Sequence, residues 1–137
     1  MQIEFEISMI GELSYFLGLQ VKQSSAGIFI SQEKYLKEML KNFQMEYSST
    51  VSTPMVVGCK LSKYDISPDV DQRTYHSMIG SLLYITTSRP DIMQDVGMVG
   101  HFQSSPKQCH LVVVKRIFKY LKGTMNYGLW YPRNQNF

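Results

Sequence analysis

The spacing of apolar residues changes period along this chain. Phe16-Leu17-Gly18-Leu19-Gln20-Val21-Lys22 alternates, with Leu17, Leu19 and Val21 on one face, as in a half-buried strand. Ser24-Ser25-Ala26-Gly27 is a turn signal, and Ile28-Phe29-Ile30 is a short β-branched and aromatic run. Together they predict a β-hairpin in which Gly27 supplies the permissive backbone. The period then becomes helical: Tyr35, Leu36, Met39, Leu40 and Phe43 recur behind Ser31, a suitable N-cap. A helix is expected from Gln32 to Met45.

Between Glu46 and Pro68 the period disappears and Ser, Thr, Pro and Gly accumulate. This reads as a loop, with Ser52-Thr53 extended ahead of Pro54. A loop of that length within one domain is unusual and reads as a link between a sheet-containing part and a helical part. From Asp71 a second stripe begins: Tyr75, Met78, Ile79, Leu82 and Leu83. It should stop near Thr87, because Arg89 precedes Pro90. Pro90 suits the first position of a new helix and Asp91 its positive end, with Ile92, Val96, Val99 and Phe102 facing inward. Ser105-Pro106 repeats the signal for a third helix carrying Leu111, Val114, Ile117, Phe118 and Leu121, for which Gly123 is a natural C′ residue. A last strand is expected from Asn126 to Tyr131. The fold class is therefore α+β: hairpin and helix, then a bundle of three short-looped helices, then a strand.

Composition supports a folded core: 44% of the 137 residues are hydrophobic and 18% charged. The formal charge of +3 is small, so a basic face has to be found locally before nucleic acid is invoked. Cys59 and Cys109 fit no C-x-x-C spacing and no disulfide framework, which points to a reducing, intracellular setting. The acidic, alternating start has none of the features of a signal peptide. No apolar run approaches the roughly 18 residues of a membrane span, so no membrane partner is expected. Alternating patterns at both ends read as those of a piece of a larger protein.

Catalytic constellations are hard to assemble from these residues. Asp91 and Asp95 stand at i and i+4 and could share a metal. The plainer reading is that Asp91 complements a helix N-terminus while Asp95 is solvated, since no third acidic ligand lies nearby. His76, His101 and His110 fall on separate elements, and Cys109 beside His110 points elsewhere on a helix, so zinc spacing is missing. No nucleophile elbow, Walker loop or dinucleotide fingerprint appears. The best positive signal is basic. Lys115, Lys119 and Lys122 lie at i, i+4 and i+7, Arg116 sits beside them and Lys107 is a candidate to extend the stripe. Such a row would track a phosphate backbone, or it is an ordinary solvated face; the residues alone leave both readings open. Tyr15, Phe16 and Phe29 could stack on bases, although core packing is the commoner use of such rings.

Taken in order, the segments Phe16-Leu17-Gly18-Leu19-Gln20-Val21, Gly27-Ile28-Phe29-Ile30-Ser31-Gln32, Ser52-Thr53-Pro54-Met55, Tyr75-His76-Ser77-Met78-Ile79-Gly80-Ser81-Leu82-Leu83-Tyr84, Ser88-Arg89-Pro90-Asp91-Ile92 and Lys115-Arg116-Ile117-Phe118-Lys119-Tyr120-Leu121-Lys122-Gly123-Thr124 resemble the reverse transcriptase of copia-type LTR retrotransposons, especially those of plants. Each segment is weak by itself; their order and spacing together are specific. The resemblance implies the late part of the polymerase, after the Tyr-x-Asp-Asp block whose carboxylates bind the catalytic magnesium ions. Tyr64-Asp65-Ile66 lacks the second acid, so no catalytic residue and no cofactor is assigned to this chain.

The same resemblance places Phe16, Leu17 and Gly18 in the hairpin that grips the primer terminus, and makes the helices from Asp71 to Lys122 thumb-like. It implies an RNA–DNA or DNA duplex as partner through the parent polymerase, with fingers, palm and ribonuclease H supplied elsewhere. Assigning Lys115, Arg116, Lys119 and Lys122 to the duplex is an inference from their spacing. The expected divisions are a palm-edge hairpin and helix over 1–46, a linker over 47–70, a thumb-like bundle over 71–124 and the start of a connection over 125–137. A degenerate relic, organelle-encoded or not, and a small helical interaction module associating through the Tyr75–Leu83 stripe are the alternatives.

Overall fold

The computed structural model describes residues 13–16, 18–56 and 61–133. Its elements are β1 (Leu13–Phe16), β2 (Leu19–Ser24), β3 (Gly27–Ser31), α1 (Glu33–Asn42), α2 (Gln72–Ile85), a 3-10 turn (Pro90–Ile92), α3 (Met93–Gly100), α4 (Gln108–Gly123) and β4 (Gly128–Pro132). The class is α+β, as the periods predict.

The first alternating segment is not one strand. Phe16 pairs with Leu19, and the chain reverses between them at Gly18, whose φ of +80° is left-handed. Glycine is the residue that adopts this backbone without strain. The outcome is a four-stranded antiparallel sheet in the order β1-β2-β3-β4. Chain-terminal β4 returns to β3, pairing Phe29 with Trp130 and Ser31 with Gly128. Gly27 and Gly128 let the two strands approach closely, each facing a backbone carbonyl of the partner strand, Tyr131 and Ile30, and beyond it an aromatic ring. A Cβ at Gly27 would meet the Trp130 indole at 2.8 Å, and one at Gly128 would meet the Phe29 ring at 2.9 Å.

Ser31 does not cap α1, because it is the last residue of β3, buried and paired on both sides. Gln20 of β2 replaces it: its Oε1 accepts the Lys34 N–H at the start of α1. Helix α2 begins as expected, with Asp71 accepting the Thr74 N–H at 3.0 Å. Leu36, Met39 and Leu40 of α1 join Tyr75, Met78, Ile79, Leu82, Ile85, Ile92, Val96, Val99, Val114, Ile117, Phe118 and Leu121 in a single buried cluster. The three-helix bundle therefore has a fourth member, α1. Inside it, the Tyr75 hydroxyl donates to the Val99 carbonyl at 2.6 Å, and burial pushes its phenol pKa up.

The long loop is a strap laid antiparallel along α4. Ser48, Thr50 and Thr53 meet the helix at Lys122, Gly123 and Arg116. Farther on, Ser62, Ser67 and Pro68 meet it at His110, Cys109 and Gln108. The strap also moves the start of α4. Gln108 N–H donates to the Pro68 carbonyl at 2.8 Å and Cys109 N–H to Ser67 Oγ at 3.2 Å, which satisfies helix-end donors from outside the helix. The helix accordingly starts after Lys107 and not at the Ser105-Pro106 signal. Buried His110 accepts the Lys107 N–H at Nδ1, meets the Ser62 carbonyl with Nε2 and stacks on Phe102 at 3.9 Å. These partners fix the tautomer with the proton on Nε2.

The Tyr75 bond gives a test. Tyr75→Phe removes a buried hydrogen bond from the Val99 carbonyl, which keeps the Phe102 N–H at 3.3 Å, and should lower the unfolding free energy by about 1 kcal/mol, read from urea titration.

Candidate nucleic-acid interface

Helix α4 carries Lys115, Arg116, Lys119 and Lys122 on neighbouring turns, but their surroundings differ. Lys115 is exposed, while Arg116, Lys119 and Lys122 are half-buried. The strap makes the difference. Lys122 Nζ donates to the Ser48 carbonyl, and Arg116 donates from Nη2 to Thr53 Oγ1 at 2.9 Å while its Nε is buried without a partner. The expected solvent-facing row is thus fully open at Lys115 and held against the strap at Arg116 and Lys122. Lys107 does not extend it: its ammonium pairs with Asp69.

At the hairpin, Phe16 ends β1 and Gly18 forms the exposed turn; Leu17 lies outside the described residues. The turn borders a groove of about 630 Å³ lined by Gly18, Lys34, Tyr35, Glu38 and Tyr84. Tyr84, near the end of α2, packs edge-on against Tyr35 of α1 with ring centroids 4.7 Å apart, and its hydroxyl stands where a Gly18 Cβ would fall. Gln32 fixes these parts together: its Nε2 donates to the Tyr84 carbonyl at 3.3 Å, and its Oε1 accepts from the Ser88 hydroxyl and, at 3.2 Å, from Ser88 N–H. The β3–α1 junction and the end of α2 are consequently set against one another by these polar contacts.

Immediately beyond Ser88 is Arg89, 2% exposed. It binds Asp91 in fork fashion, Nε to Oδ1 at 3.1 Å and Nη2 to Oδ2 at 2.9 Å. The opposite side of the guanidinium donates to the Thr124 carbonyl at 2.9 Å and to Thr124 Oγ1 at 2.7 Å. Tyr120 and Tyr127 place their rings 5.6 and 5.2 Å from the cation. Asp91 also accepts from the Tyr120 hydroxyl at 2.8 Å. This network stops α4: Thr124, gripped by Arg89, is the cap residue, whereas Gly123 is still helical and gives Thr50 room to approach.

The pair of Asp91 and Asp95 is not arranged as a metal site. Burial pushes the Asp91 carboxyl up, but hydrogen bonds from Arg89 and Tyr120 and the guanidinium charge outweigh it, leaving the pKa below its ordinary value. Asp95 is half-buried, and burial followed by repulsion from Asp91 raises its pKa. Asp95 is therefore less solvated than the spacing implied. Among the described residues, no three His, Cys, Asp or Glu side chains converge as metal ligands. Also among the described residues, no helix is long and apolar enough to cross a membrane.

Sequence reasoning passed over the lysines of α1. Lys34, Lys37 and Lys41 follow the i, i+3, i+7 spacing of a single helix face, much as the α4 lysines do, and that was the available signal. Lys34 borders the Gly18 groove, whereas Lys37 and Lys41 face α4.

Comparison with known proteins agrees with the resemblance. The family profile described as reverse transcriptase (RNA-dependent DNA polymerase) matches residues 1–57. The chain is 36% identical over 126 residues to the retrovirus-related Pol polyprotein from transposon RE1 of Arabidopsis thaliana, covering 92% of this chain and 9% of the polyprotein. It is 35% identical over 129 residues to the corresponding polyprotein from transposon TNT 1-94 of Nicotiana tabacum, covering 88% and 10%. An uncharacterised mitochondrial protein of Arabidopsis thaliana is 33% identical over 130 residues, covering 95% of this chain and 54% of its own length. The chain thus spans about a tenth of the polyproteins and about half of the mitochondrial protein. No solved structure matches it.

Two outcomes test the Arg89 network. Arg89→Lys keeps the charge but loses the planar fork, and should lower the unfolding free energy by about 3 kcal/mol in urea titration. Because the folded pKa of Asp91 lies below its unfolded value, its stabilisation is present above about pH 4 and is lost as pH falls through the folded value. Wild type should therefore lose more stability than Asp91→Asn between about pH 5 and pH 3; equal losses would remove Asp91 from the account.

Proposed function

Because this chain belongs to the reverse transcriptases of copia-type retrotransposons, we propose that it is the segment that grips the primer and holds the template–primer duplex, while the chemistry of nucleotide addition is carried by residues outside it. The observation that carries this reading is the exposed Gly18 turn, held in left-handed backbone at the mouth of an open groove. With the Tyr84 hydroxyl filling the side-chain position of Gly18, the turn's exposed peptide groups are the part that would meet a sugar–phosphate strand. Phe16 and Leu17, with Gly18, are the residues assigned to the primer terminus.

The duplex is held chiefly by charge. Lys115 is exposed and Lys119 stands one turn on, so both ammonium groups are placed to neutralise successive phosphates. Arg116 and Lys122, tied to the strap, act from fixed positions. The partner class is an RNA–DNA hybrid or a DNA duplex, which contacts of this kind bind with little sequence preference.

Magnesium in the parent polymerase would stabilise the attacking and departing oxygens of phosphoryl transfer. The acids described here do not fit that task. Asp91 is engaged by Arg89 and Tyr120, and no acidic cluster converges among the described residues. The metal-binding carboxylates are assigned to the remainder of the parent polymerase.

Fluorescence anisotropy with a labelled RNA–DNA hybrid tests the holding role. Binding should weaken steeply from about 50 to 200 mM salt, and Lys115→Gln with Lys119→Gln should weaken it roughly three- to tenfold. Salt-independent binding would overturn the duplex assignment. Extension of an annealed primer by the chain alone, given magnesium and the four deoxynucleotides, would overturn the division of labour.

A further inference from the structure

Two helices far apart in sequence bring lysines to one cleft. Lys37 and Lys41 of α1 and Lys122 of α4 line a depression of about 260 Å³, with Leu40, Glu46 and Met125 completing it. Lys37 and Lys41 are exposed. Lys122 is held at Nζ by the Ser48 carbonyl, a neutral acceptor that fixes the ammonium without cancelling its charge. The three cations face one carboxylate, Glu46, in the lining; Glu33 lies 3.6 Å from Lys37 as an exposed i, i+4 pair. Such pairs contribute little and are readily exchanged for a stronger anion.

We propose that this cleft between α1 and α4 is a phosphodiester-binding site, and that it carries the duplex backbone from α4 onto α1. The inference rests on the duplex-holding reading above and adds to it a second helix. Its physical argument is preorganisation. Lys122 is immobilised by the strap, so less side-chain freedom is lost when a phosphate arrives. Lys37 and Lys41 lie one turn apart and supply two mobile cations beside it. Leu40 and Met125 line the same cleft, so an anion there is partly shielded from water, which strengthens its attraction to the lysines. On α4 itself the strap engages Arg116 and Lys122, so a phosphate track confined to that helix would rest mainly on Lys115 and Lys119. The cleft continues the track where α4 is covered.

Lys37→Gln with Lys41→Gln tests this in the full chain, because both positions are exposed and glutamine is as good a helix former as lysine. A Lys122 variant would release the strap and is unsuitable. Lys63→Gln, at an exposed strap position outside the cleft, is the control. Binding to the labelled RNA–DNA hybrid is measured across a salt series. Each lost phosphate contact removes about 0.9 from the slope of log affinity against log salt. The double variant should therefore have a slope shallower by about 2 and bind about tenfold or more weakly at about 50 mM salt, with its thermal midpoint unchanged and the control indistinguishable from wild type. Three outcomes would overturn the proposal. A double variant that keeps the wild-type slope removes the cleft alone, leaving the duplex reading intact. A control that falls equally reduces the effect to net charge. Wild type that fails to bind the hybrid removes both readings.

Discussion

A guanidinium has five N–H donors in a rigid plane, and burying it without partners costs more than any nearby packing returns. Arg89 is buried because four of its hydrogen bonds are supplied by two residues from different parts of the chain. Asp91 closes the turn on one side, and Thr124 ends α4 on the other. The link between the start of α3 and the end of α4 orients Tyr120 and Tyr127 over the cation and brings the chain to Gly128, where β4 begins. Ser88, one residue earlier, bonds Gln32 at the junction of β3 and α1. Sheet and bundle are thus joined at adjacent residues, Ser88 and Arg89.

The strap has a comparable effect on charge. Running antiparallel to α4, it supplies acceptors for helix donors at one end and for Lys122 at the other. Backbone polar groups in a long segment need partners wherever they leave water, and the helix termini and basic side chains provide them. The consequence is an uneven cationic surface: open at Lys115, fixed at Arg116 and Lys122, and continued by the α1 lysines.

The carboxylates and the lysines are used differently in this fold. Lys37, Lys41 and Lys115 are exposed, whereas Asp71 caps α2, Asp69 pairs with Lys107 and Asp91 binds Arg89. Asp91 shows the distinction clearly. Its spacing to Asp95 could serve a metal, yet its oxygens accept from Arg89 and Tyr120 and its pKa is lowered accordingly.

Local physics wrote much of this fold into the sequence. The helical periods of α1, α2 and α4, the Asp71 cap and the α+β class follow from side-chain spacing and caps, which act within a few residues. Leu83 of the α2 stripe is nonetheless exposed, and Pro90 opens a 3-10 turn, with the α-helix starting at Met93. The ordered motifs also identified the family. What spacing could not reveal was any interaction joining distant residues. Phe16 to Lys22 alternates like a single strand, and the break at Gly18 belongs with Tyr84 on another helix. Ser31 and Gly123 looked like caps, but Gln20 and the Arg89–Thr124 contact took those roles from elsewhere in the chain. The lysine row on α4 was legible because it lies on one helix. Its partial covering by the strap, and its meeting with Lys37 and Lys41, required the packing of α1 against α4, since a periodic pattern states which face a residue occupies and not what lies opposite.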